Sequence, residues 1–498
     1  DALLNFRRSK KEVIAASDTY RQGHYLLASY ASRIFLNPMG SVDIQGLGHY
    51  SLYCKDAIDK LHIDYNIFKV GMFKSATEPF TRNSMSEADK EQSWLWLTAI
   101  WDNFSSQITQ NRKLPSGALQ RYVDNLALEI QNTGGDSASL ALDKGLVDAV
   151  QNRQQTRAYL RRISGKTEDQ KAQYITVDEY LNRINAPRSY SGRTGEIAII
   201  VAEGIIIDGK QRNGLIGGDS LASHIQQAKD NPDVKALVLR INSGGGSAFA
   251  SEIIRQELLD FKRSGKKLIV SMGSIAASGG YWIAANADQI WAAPSTLTGS
   301  IGVFGALPTF QRTLAKVGIH SDGISTAPHI QSLVPLQALP PAMQSVLQQS
   351  VEHTYRTFID IVSQGRNMKR QKVRRLAEGR VYDGVRAQQT GLVDKLGNLQ
   401  QAVAAARELI GSKEARAFYL RPEQSFREQI MEMLNAVRIQ SGTALLPHFA
   451  RQQLQGVMDS MQHGTGFSLL AGTMYDRNAI YSYTPPLLLD SLPYGWSF

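Results

Sequence analysis

The feature that most constrains this chain is an internal repeat, in which two long segments match each other at a nearly constant spacing. Leu3–Lys11 matches Leu258–Lys266, and Gly145–Asp148 matches Gly391–Asp394 near the other end of the repeat. Between these blocks seven residues recur in identical order: Gly23/Gly279, Tyr25/Tyr281, Ala28/Ala284, Ala31/Ala287, Ile34/Ile290, Pro38/Pro294 and Gly46/Gly302. Self-similarity of this extent predicts a tandem duplication of a whole domain.

The second copy is the longer one at its start. It opens at Gly195, whereas Asp1 already matches Gln256, so residues 195–255 have no counterpart in the first copy. We therefore expect the chain to begin inside a domain. The predicted organisation is an N-terminal repeat at 1–165, a linker at 166–194, a C-terminal repeat at 195–411, and an extension at 412–498 with an amphipathic helical pattern and an apolar tail.

Strand-like and helix-like segments alternate in the second copy. Val234–Asn242 is typical of a buried strand, Ala248–Arg263 of a helix, and Lys267–Val270 of the next strand. Long amphipathic helices are predicted at Glu87–Asn111 and Pro341–Gln364. This alternation predicts an α/β fold with parallel-rich sheets flanked by helices. In such sheets the functional groups gather at the carboxyl ends of the strands.

Composition excludes several classes of function. The chain has 498 residues, a net charge of +10 and a single cysteine, Cys54. A lone cysteine excludes an intrachain disulfide and a Cys/His zinc site, and we predict no metal or cofactor. The basic residues are scattered, without a basic stripe and interleaved aromatics, so no nucleic-acid partner is predicted. Attraction to an anionic membrane surface fits the charge equally well, and a basic, solvated surface is the simplest interpretation.

The stretch Ala277-Ser278-Gly279-Gly280 lies between a predicted strand and a predicted helix. A hydroxyl at the start of a helix faces free backbone N–H groups, which favour the negative charge that develops in acyl transfer. The matching position of the first copy is Gln22, which has no nucleophilic group. We therefore interpret Ser278 as a nucleophile that is present in only one of the two copies.

A serine nucleophile needs a base, and no histidine stands near Ser278 in the sequence. A lysine can serve if burial lowers its pKa from about 10.4 toward 7 or 8, a change worth about 4 kcal/mol. The best candidate is Lys74, which follows the strand-like segment Tyr65–Val70 in an apolar context. Its counterpart, Ile330, cannot accept a proton. The reciprocal losses predict one composite site with Lys74 from the first copy and Ser278 from the second.

Further residues are candidates for supporting roles. The backbone N–H of Gly279 and one from Gly245 or Gly246 are candidate oxyanion donors, although such glycines also make tight strand-to-helix turns. Ser300 is a candidate for orienting the Lys74 amine, and its first-copy counterpart is Ile44. A hydroxyl at a sheet edge is an equally good interpretation of Ser300.

The segments around Ser278, Lys74 and Ser300 resemble those of signal peptide peptidase A, in its membrane-bound protease IV type with a tandem-repeat chain. This family belongs to the Clp protease and crotonase-like fold superfamily. The similarity covers roughly Leu3–Gly411 and rests on three stretches: Ala277–Trp282, Gly71–Ala76 and Ser295–Gly302. The resemblance implies two tandem domains of that fold. It also implies that Ser278 is the nucleophile, Lys74 the base and Ser300 the hydroxyl that orients the lysine. The oxyanion donors would be Gly279 and the glycine run after Asn242.

The resemblance also implies a setting. The family is expected to degrade cleaved signal peptides at the periplasmic face of the bacterial inner membrane, as a homotetramer held by an N-terminal membrane anchor, which this chain does not include. One departure is the loop Ser243–Gly246, which lacks the proline that the family usually shows. Which of its glycines donates to the oxyanion is therefore left open.

Two other functions remain open at this level. A crotonase-like acyl-CoA enzyme would use the oxyanion donors to stabilise an enolate, but it needs carboxylates and has no use for a Ser/Lys pair. A non-catalytic, membrane-associated scaffold would explain the first copy but not the serine of the second. A stoichiometric adduct of Ser278 with an acylating serine-protease inhibitor would distinguish the peptidase from both.

Overall fold

The structure, a computed structural model, describes residues 2–164, 195–211, 214–322, 335–420 and 480–483, together with positions 175, 177 and 180.

The chain divides into two compact units, the first formed by Asp1–Gly48 and Leu97–Ser191, the second by His49–Trp96 and Gly192–Phe498. The spatial units thus differ from the sequence repeats, because residues 49–96 join the second unit. The boundaries drawn from the repeat stay a prediction. Most of the predicted linker and the helical part of the extension lie outside the described residues.

The described residues contain the following strands: β1 Ile14–Ser17, β2 Tyr20–Arg21, β3 Arg33–Leu36, β4 Val42–Asp43, β5 Asp64–Val70, β6 Ala149–Val150, β7 Ile197–Glu203, β8 Ile206–Ile207, β9 Ile216–Gly217, β10 Ala236–Ser243, β11 Gly245–Ser247, β12 Lys267–Ala277, β13 Gln289–Ala292, β14 Leu297–Gly299, β15 Val303–Thr309, β16 Val381–Asp383, β17 Lys395–Leu396, β18 Ala417–Tyr419 and β19 Ile480–Tyr483.

The α-helices in the same part of the chain are Ala2–Arg8, Gln22–Ala28, Lys55–Lys60, Glu78–Thr81, Glu87–Arg112, Ala118–Asp124, Leu126–Asn132, Ser137–Asp143, Arg153–Ile163, Gly218–Asp230, Ala248–Arg263, Gly279–Ala284, Gln311–Lys316, Pro341–Gly365, Arg370–Leu376, Gly384–Thr390 and Leu399–Leu409. A 3₁₀ turn covers Ser75–Thr77. Among these described helices, none has the length and apolarity needed to cross a membrane.

The first unit is a small α/β structure. Its sheet has the order β1-β3-β6 with parallel neighbours, and β2 pairs with β4 in parallel as well. The helix Gln22–Ala28 buries Tyr25 and Ala28 against this sheet, beside the fully buried Ile34 and Ile44. Burial of one helical face against the sheet supplies the hydrophobic free energy that holds the unit together.

The second unit contains two sheets. The larger follows the order β16-β14-β12-β10-β7-β18, with β13 and β17 attached, and its central strands are parallel. The smaller follows the order β5-β15-β19-β11-β8-β9. Along β7, Ala198 and Ile200 belong to a core that includes helix Ala248–Arg263, whereas Ile197 and Ile199 pack with helix Leu399–Leu409 on the opposite face. Alternate residues therefore face opposite layers, as a sheet covered on both faces requires.

The same supporting bonds recur in each unit. The Tyr25 hydroxyl donates to the carbonyl oxygen of Leu146 in the first unit, and the Tyr281 hydroxyl donates to that of Leu392 in the second. An aspartate accepts the N–H of a strand residue and pairs with an arginine in both places. The corresponding sets are Ile34, Asp148 and Arg112 in the first unit and Ile290, Asp394 and Arg366 in the second. The two copies therefore share their structural hydrogen bonds as well as their sequence pattern.

The predicted α/β class of two tandem repeats is confirmed, and the predicted helix Ala248–Arg263 has the same bounds in the structure. The strand that precedes Ser278 was predicted too short, because β12 continues from Lys267 to Ala277. Ile275, Ala276 and Ala277 of this strand pair with β14. The strand also contains small and polar residues, such as Ser271, and these gave no apolar strand pattern. Pairing with a neighbouring strand here overrides local composition.

Trp282 tests how strongly the second core depends on the helix after β12. Its side chain is buried, its indole N–H donates to Glu252 Oε2 at 2.8 Å, and its ring centroid lies 4.6 Å from that of Phe358. Trp282→Ala should lower the free energy of unfolding by about 3 to 5 kcal/mol. Trp94→Ala, at a 70% exposed tryptophan, should cost about 0.5 kcal/mol or less. Equal shifts in the urea midpoint would contradict this assignment.

Candidate active site

Ser278 lies in a strained turn between β12 and the helix Gly279–Ala284. Its backbone has φ of 56° and ψ of −118°, and its side chain is fully buried. The Ser278 N–H donates to the carbonyl oxygen of Gly299 at 2.8 Å, which ties the turn to β14. A Cβ at Gly280 would stand 2.7 Å from the Ser243 carbonyl oxygen, so glycine lets the helix begin against the end of β10. Non-glycine residues hold such backbone angles at a cost of about 1 to 3 kcal/mol.

Gln22, the matching residue of the first unit, does not have the positive φ of Ser278. It is the first residue of the helix Gln22–Ala28, after Arg21 with φ of −71°. Its Oε1 accepts the N–H groups of Gln45 and Gly46 at 3.1 and 3.2 Å, and its Nε2 donates to the Gly46 carbonyl oxygen at 3.1 Å. The amide therefore satisfies backbone groups in the position that Ser278 holds in the other unit.

Lys74 reaches Ser278 because β5 and β15 form an antiparallel ladder. Val70 at the end of β5 pairs with Val303 at the start of β15, so the segments that carry Lys74 and Ser300 leave this ladder side by side. Lys74 Nζ lies 2.6 Å from Ser278 Oγ and donates to the Oγ and carbonyl oxygen of Ser300 at 3.1 and 3.2 Å. The structure thus brings these three predicted residues together within one chain and one unit.

The surroundings of Lys74 change its acidity. The side chain is 2% exposed, and burial lowers the pKa of its ammonium from 10.5 to about 7. A low-dielectric environment penalises the charged form of an amine and leaves the neutral form unaffected. Near neutral pH a large fraction of Lys74 therefore carries the lone pair that a proton acceptor needs.

The loop Glu378–Arg380 packs against the lysine and was missed by the sequence analysis. The Glu378 carbonyl oxygen accepts the Phe73 N–H at 2.9 Å, and the Arg380 guanidinium stands 3.9 Å above the Phe73 ring. Gly379 has φ of +77°, and a Cβ there would lie 2.7 Å from the Lys74 backbone nitrogen. The only sequence signal of this loop was a glycine before a short strand, which is common in loops.

The two oxyanion candidates that the sequence left open lie in the glycine loop after β10. The Gly245 N–H donates to Ser243 Oγ at 3.1 Å, so a local bond already uses it. Gly246 has φ of +153°, and a Cβ would meet the Ile206 carbonyl oxygen at 2.0 Å. Gly279, the other predicted donor, is the first residue of the helix after Ser278. Gly246 is paired with Ser482 in β19 and with Ile206 in β8.

Metal ligation has no candidate in the described part of the chain. No group of three or more histidine, cysteine, aspartate or glutamate residues is placed there to hold an ion. The polar groups at Ser278 are hydroxyl, amine and backbone groups, which suit proton transfer and nucleophilic attack rather than ligation of a divalent cation.

Comparison with known proteins identifies relatives along most of the chain. The profile of Peptidase family S49 matches residues 5–165 and 260–413. Protease 4 of Haemophilus influenzae is 41% identical over 416 residues, which cover 84% of this chain and 68% of that protein. Protease 4 of Salmonella typhi is 40% identical over 460 residues, 91% of this chain and 72% of that protein. The chloroplastic serine protease SPPA of Arabidopsis thaliana is 28% identical over 411 residues, 82% of this chain and 59% of that protein.

A duplicated α/β chain with these relatives is a serine peptidase. It belongs to peptidase family S49. The resemblance to the tandem-repeat protease IV type, inferred from the sequence segments around Ser278, Lys74 and Ser300, is thereby confirmed.

The buried amine predicts a pH dependence of stability. The pKa of Lys74 is about 7 in the folded chain against an ordinary value of 10.5, so the unfolded chain binds this proton more tightly. The Lys74 contribution to the free energy of unfolding should therefore rise between about pH 7 and pH 10.5. Lys74→Met lacks this contribution, so its stability relative to the parent should fall by about 4 kcal/mol between pH 6 and pH 10.

Denaturant unfolding of parent and variant across this pH range is the measurement. Lys69→Met is the matched control, because Lys69 is exposed on the same segment of chain. Its difference from the parent should stay constant with pH. A Lys74→Met difference that is equally constant would contradict the lowered pKa.

Proposed function

We propose that the chain is a serine endopeptidase in which Ser278 is the nucleophile and Lys74 is the general base. The observation that carries the proposal is the contact of 2.6 Å between Lys74 Nζ and Ser278 Oγ, made by an amine whose pKa burial lowers to about 7. Geometry and pKa are the two requirements for a general base, and the short contact and the lowered pKa of Lys74 support this role.

The proposed reaction has two steps. In the first, neutral Lys74 takes the Ser278 proton while Oγ attacks the peptide carbonyl carbon, and the resulting ammonium protonates the departing amine. In the second, Lys74 takes a proton from water, whose oxygen attacks the acyl-enzyme carbonyl carbon. The ester bond then breaks, the ammonium returns the proton to Ser278 Oγ, and the acid leaves. The oxygens of Ser300 accept N–H groups of the amine, which directs its remaining lone pair at Ser278.

Negative charge on the tetrahedral oxygen needs fixed donors. We assign this role to the N–H groups of Gly279 and Gly246, since the Gly245 N–H is bonded to Ser243 Oγ. Gly279 follows the nucleophile directly, and Gly246 lies in β11, just after the neighbouring strand β10. Preorganised backbone donors of this kind are each worth about 10²- to 10³-fold in rate.

The substrates are apolar peptides bound in extended form, and cleaved signal peptides are the class that the family resemblance supports. The same resemblance supports action at the periplasmic face of the bacterial inner membrane and assembly as a homotetramer. The net charge of +10 is compatible with an anionic membrane surface. An acyl-CoA enzyme or a scaffold has no use for a buried lysine that contacts a serine hydroxyl, and no observation favours either of them.

Substitution of the two residues tests the chemistry. Lys74→Ala should lower kcat on an apolar fluorogenic peptide by about 10²- to 10⁴-fold, and Ser278→Ala should lower it at least as much. Lys69→Ala, which removes the same charge from an exposed position, should retain parental turnover. An acylating serine-protease inhibitor should add once, to Ser278, as seen by mass spectrometry. Near-normal turnover of Lys74→Ala with an intact fold would rule out the pair.

The pH profile tests the base separately. Because the pKa of Lys74 is lowered to about 7, kcat/KM should rise about tenfold per pH unit below pH 7 and level off above it. Lys74→Arg should show no such rise at its residual rate, since a guanidinium stays protonated throughout. A parental profile that rises only above pH 9 would assign the proton transfer to a lysine of ordinary acidity.

A further inference from the structure

The loop Glu378–Arg380, which precedes β16, bonds to both chain segments that meet at the buried amine. The Glu378 carbonyl oxygen accepts the Phe73 N–H at 2.9 Å, and the Arg380 carbonyl oxygen accepts the Ser300 N–H at 2.6 Å. Phe73 stands directly before the proposed base, and Ser300 carries the hydroxyl that orients it. One short loop therefore connects the segment of the base to the segment of the orienting hydroxyl.

The carboxylate of Glu378 adds two bonds of its own. Its Oε2 accepts the Met72 N–H at 3.2 Å, and its Oε1 accepts the Tyr355 hydroxyl at 3.2 Å. Tyr355 is a buried residue of the helix Pro341–Gly365, which packs against β5 and β15. The carboxylate thus joins the turn in front of Lys74 to a helix that lies on the ladder behind it.

The backbone of Glu378 indicates that its side chain has a use. Its φ of 59° lies in the left-handed region, which a glycine adopts freely and a glutamate only under strain. A glycine at this position would make the same backbone bond to Phe73. The carboxylate, with its two bonds, is what a glycine would lack, and it therefore accounts for a glutamate in a strained position.

We propose that Glu378 is a positioning residue for the Lys74 amine. Its carboxylate holds the turn Gly71–Phe73 in place, which keeps water away from the amine and keeps Nζ directed at Ser278 Oγ. This inference rests on the proposed peptidase function. The carboxylate acts through its hydrogen bonds and not through its charge, because a nearby negative charge favours an ammonium and would raise its pKa. The pKa of Lys74 is instead lowered, and burial is the cause.

The pH profile of Glu378→Ala in the full chain tests this role. Without the two carboxylate bonds water reaches the amine, so the pKa in the profile of kcat/KM on an apolar peptide should rise by about one unit. That rise lowers kcat/KM about fivefold at pH 7 and hardly at all above pH 9. Glu414→Ala removes an exposed glutamate of the same unit and should keep the parental profile.

The sign and shape of the change distinguish three causes. Loss of a hydrogen-bonding role moves the profile of Glu378→Ala to higher pH. Loss of a charge effect moves it to lower pH, because an ammonium without its anionic neighbour releases its proton more easily. A merely weakened fold lowers kcat/KM by the same factor at every pH. Either of the last two results, or a parental profile, would overturn the proposal.

The ionisable neighbours of the carboxylate leave this measurement undisturbed. Burial raises the pKa of Tyr355 to about 12, so its hydroxyl still donates at about pH 10. Arg374, whose charge acts on Tyr355, and Arg380, in the same loop, carry guanidinium groups that stay protonated over this range. A shift of the profile near neutral pH therefore reports on Lys74.

Two conservative variants sharpen the assignment. Glu378→Gln keeps an oxygen that accepts the Met72 N–H and gains an amide that donates to the Tyr355 oxygen, so it should retain the parental profile. Tyr355→Phe keeps the ring but removes one of the two bonds, and it should shift the profile in the direction of Glu378→Ala by a smaller amount. Equal shifts in Glu378→Gln and Glu378→Ala would contradict a role through hydrogen bonds.

Denaturant unfolding separates this proposal from the peptidase function, since it needs no turnover. Between pH 6 and pH 10 the effect of Lys74→Met on the unfolding equilibrium constant should change by a factor about tenfold smaller in the Glu378→Ala background than in the parent, as a pKa closer to the ordinary value requires. An equal change in both backgrounds would overturn the proposal even if the chain cleaves peptides. The smaller change in a chain that cleaves none would support the positioning role and refute the proposed function.

Discussion

The antiparallel ladder between β5 and β15 positions the amine on which the site depends. It pairs seven residues on each side, from Asp64 opposite Thr309 to Val70 opposite Val303. If β5 slipped by two residues against β15, its side chains would keep their faces of the sheet but move by about 7 Å along the strand. If it slipped by one residue, its side chains would exchange faces. Either would remove Lys74 Nζ from its contact of 2.6 Å with Ser278 Oγ. The register of one ladder therefore sets the distance between Lys74 Nζ and Ser278 Oγ.

The low pKa of Lys74 results from close packing of backbone around its side chain. A Cβ on Gly302 would lie 3.3 Å from Lys74 Cδ, and one on Gly379 would lie 3.0 Å from Lys74 Cβ. These glycines let two loops approach the lysine and exclude water from it. Moving the pKa from 10.5 to about 7 corresponds to about 5 kcal/mol of discrimination against the ammonium. The hydroxyl and carbonyl oxygens of Ser300 bond the neutral amine without restoring that charge.

The internal repeat explains why the sequence pointed to Ser278, Lys74 and Ser300. Each copy serves as a reference for the other, so the replacement of Ser278 by Gln22 or of Ser300 by Ile44 is visible without any other protein. The contact of Glu378 with Phe73 was not predictable, because it runs through backbone atoms that every residue possesses. The contact of the Arg380 guanidinium with the Phe73 ring was not predictable either, because it joins side chains that are far apart in the sequence. The membership of residues 49–96 in the second unit was also hidden. It depends on strand pairing between residues more than two hundred positions apart, which local patterns do not encode.

Backbone strain distinguishes the two copies at the positions that matter for chemistry. Both hydroxyls that contact Lys74 stand on residues with positive φ, 56° at Ser278 and 50° at Ser300, whereas neither Gln22 nor Ile44 has a positive φ. The first unit nevertheless keeps the bond from the Tyr25 hydroxyl to Leu146 that matches the bond from Tyr281 to Leu392. The structural bonds are thus common to both copies, while positive φ at these two matched positions occurs in the second copy, at the serines beside the lysine. Strain of about 1 to 3 kcal/mol per residue persists where the surrounding structure enforces it, and a scaffold would gain nothing from enforcing it at two buried serines. The strain therefore favours a catalytic role for the second unit over a purely structural one.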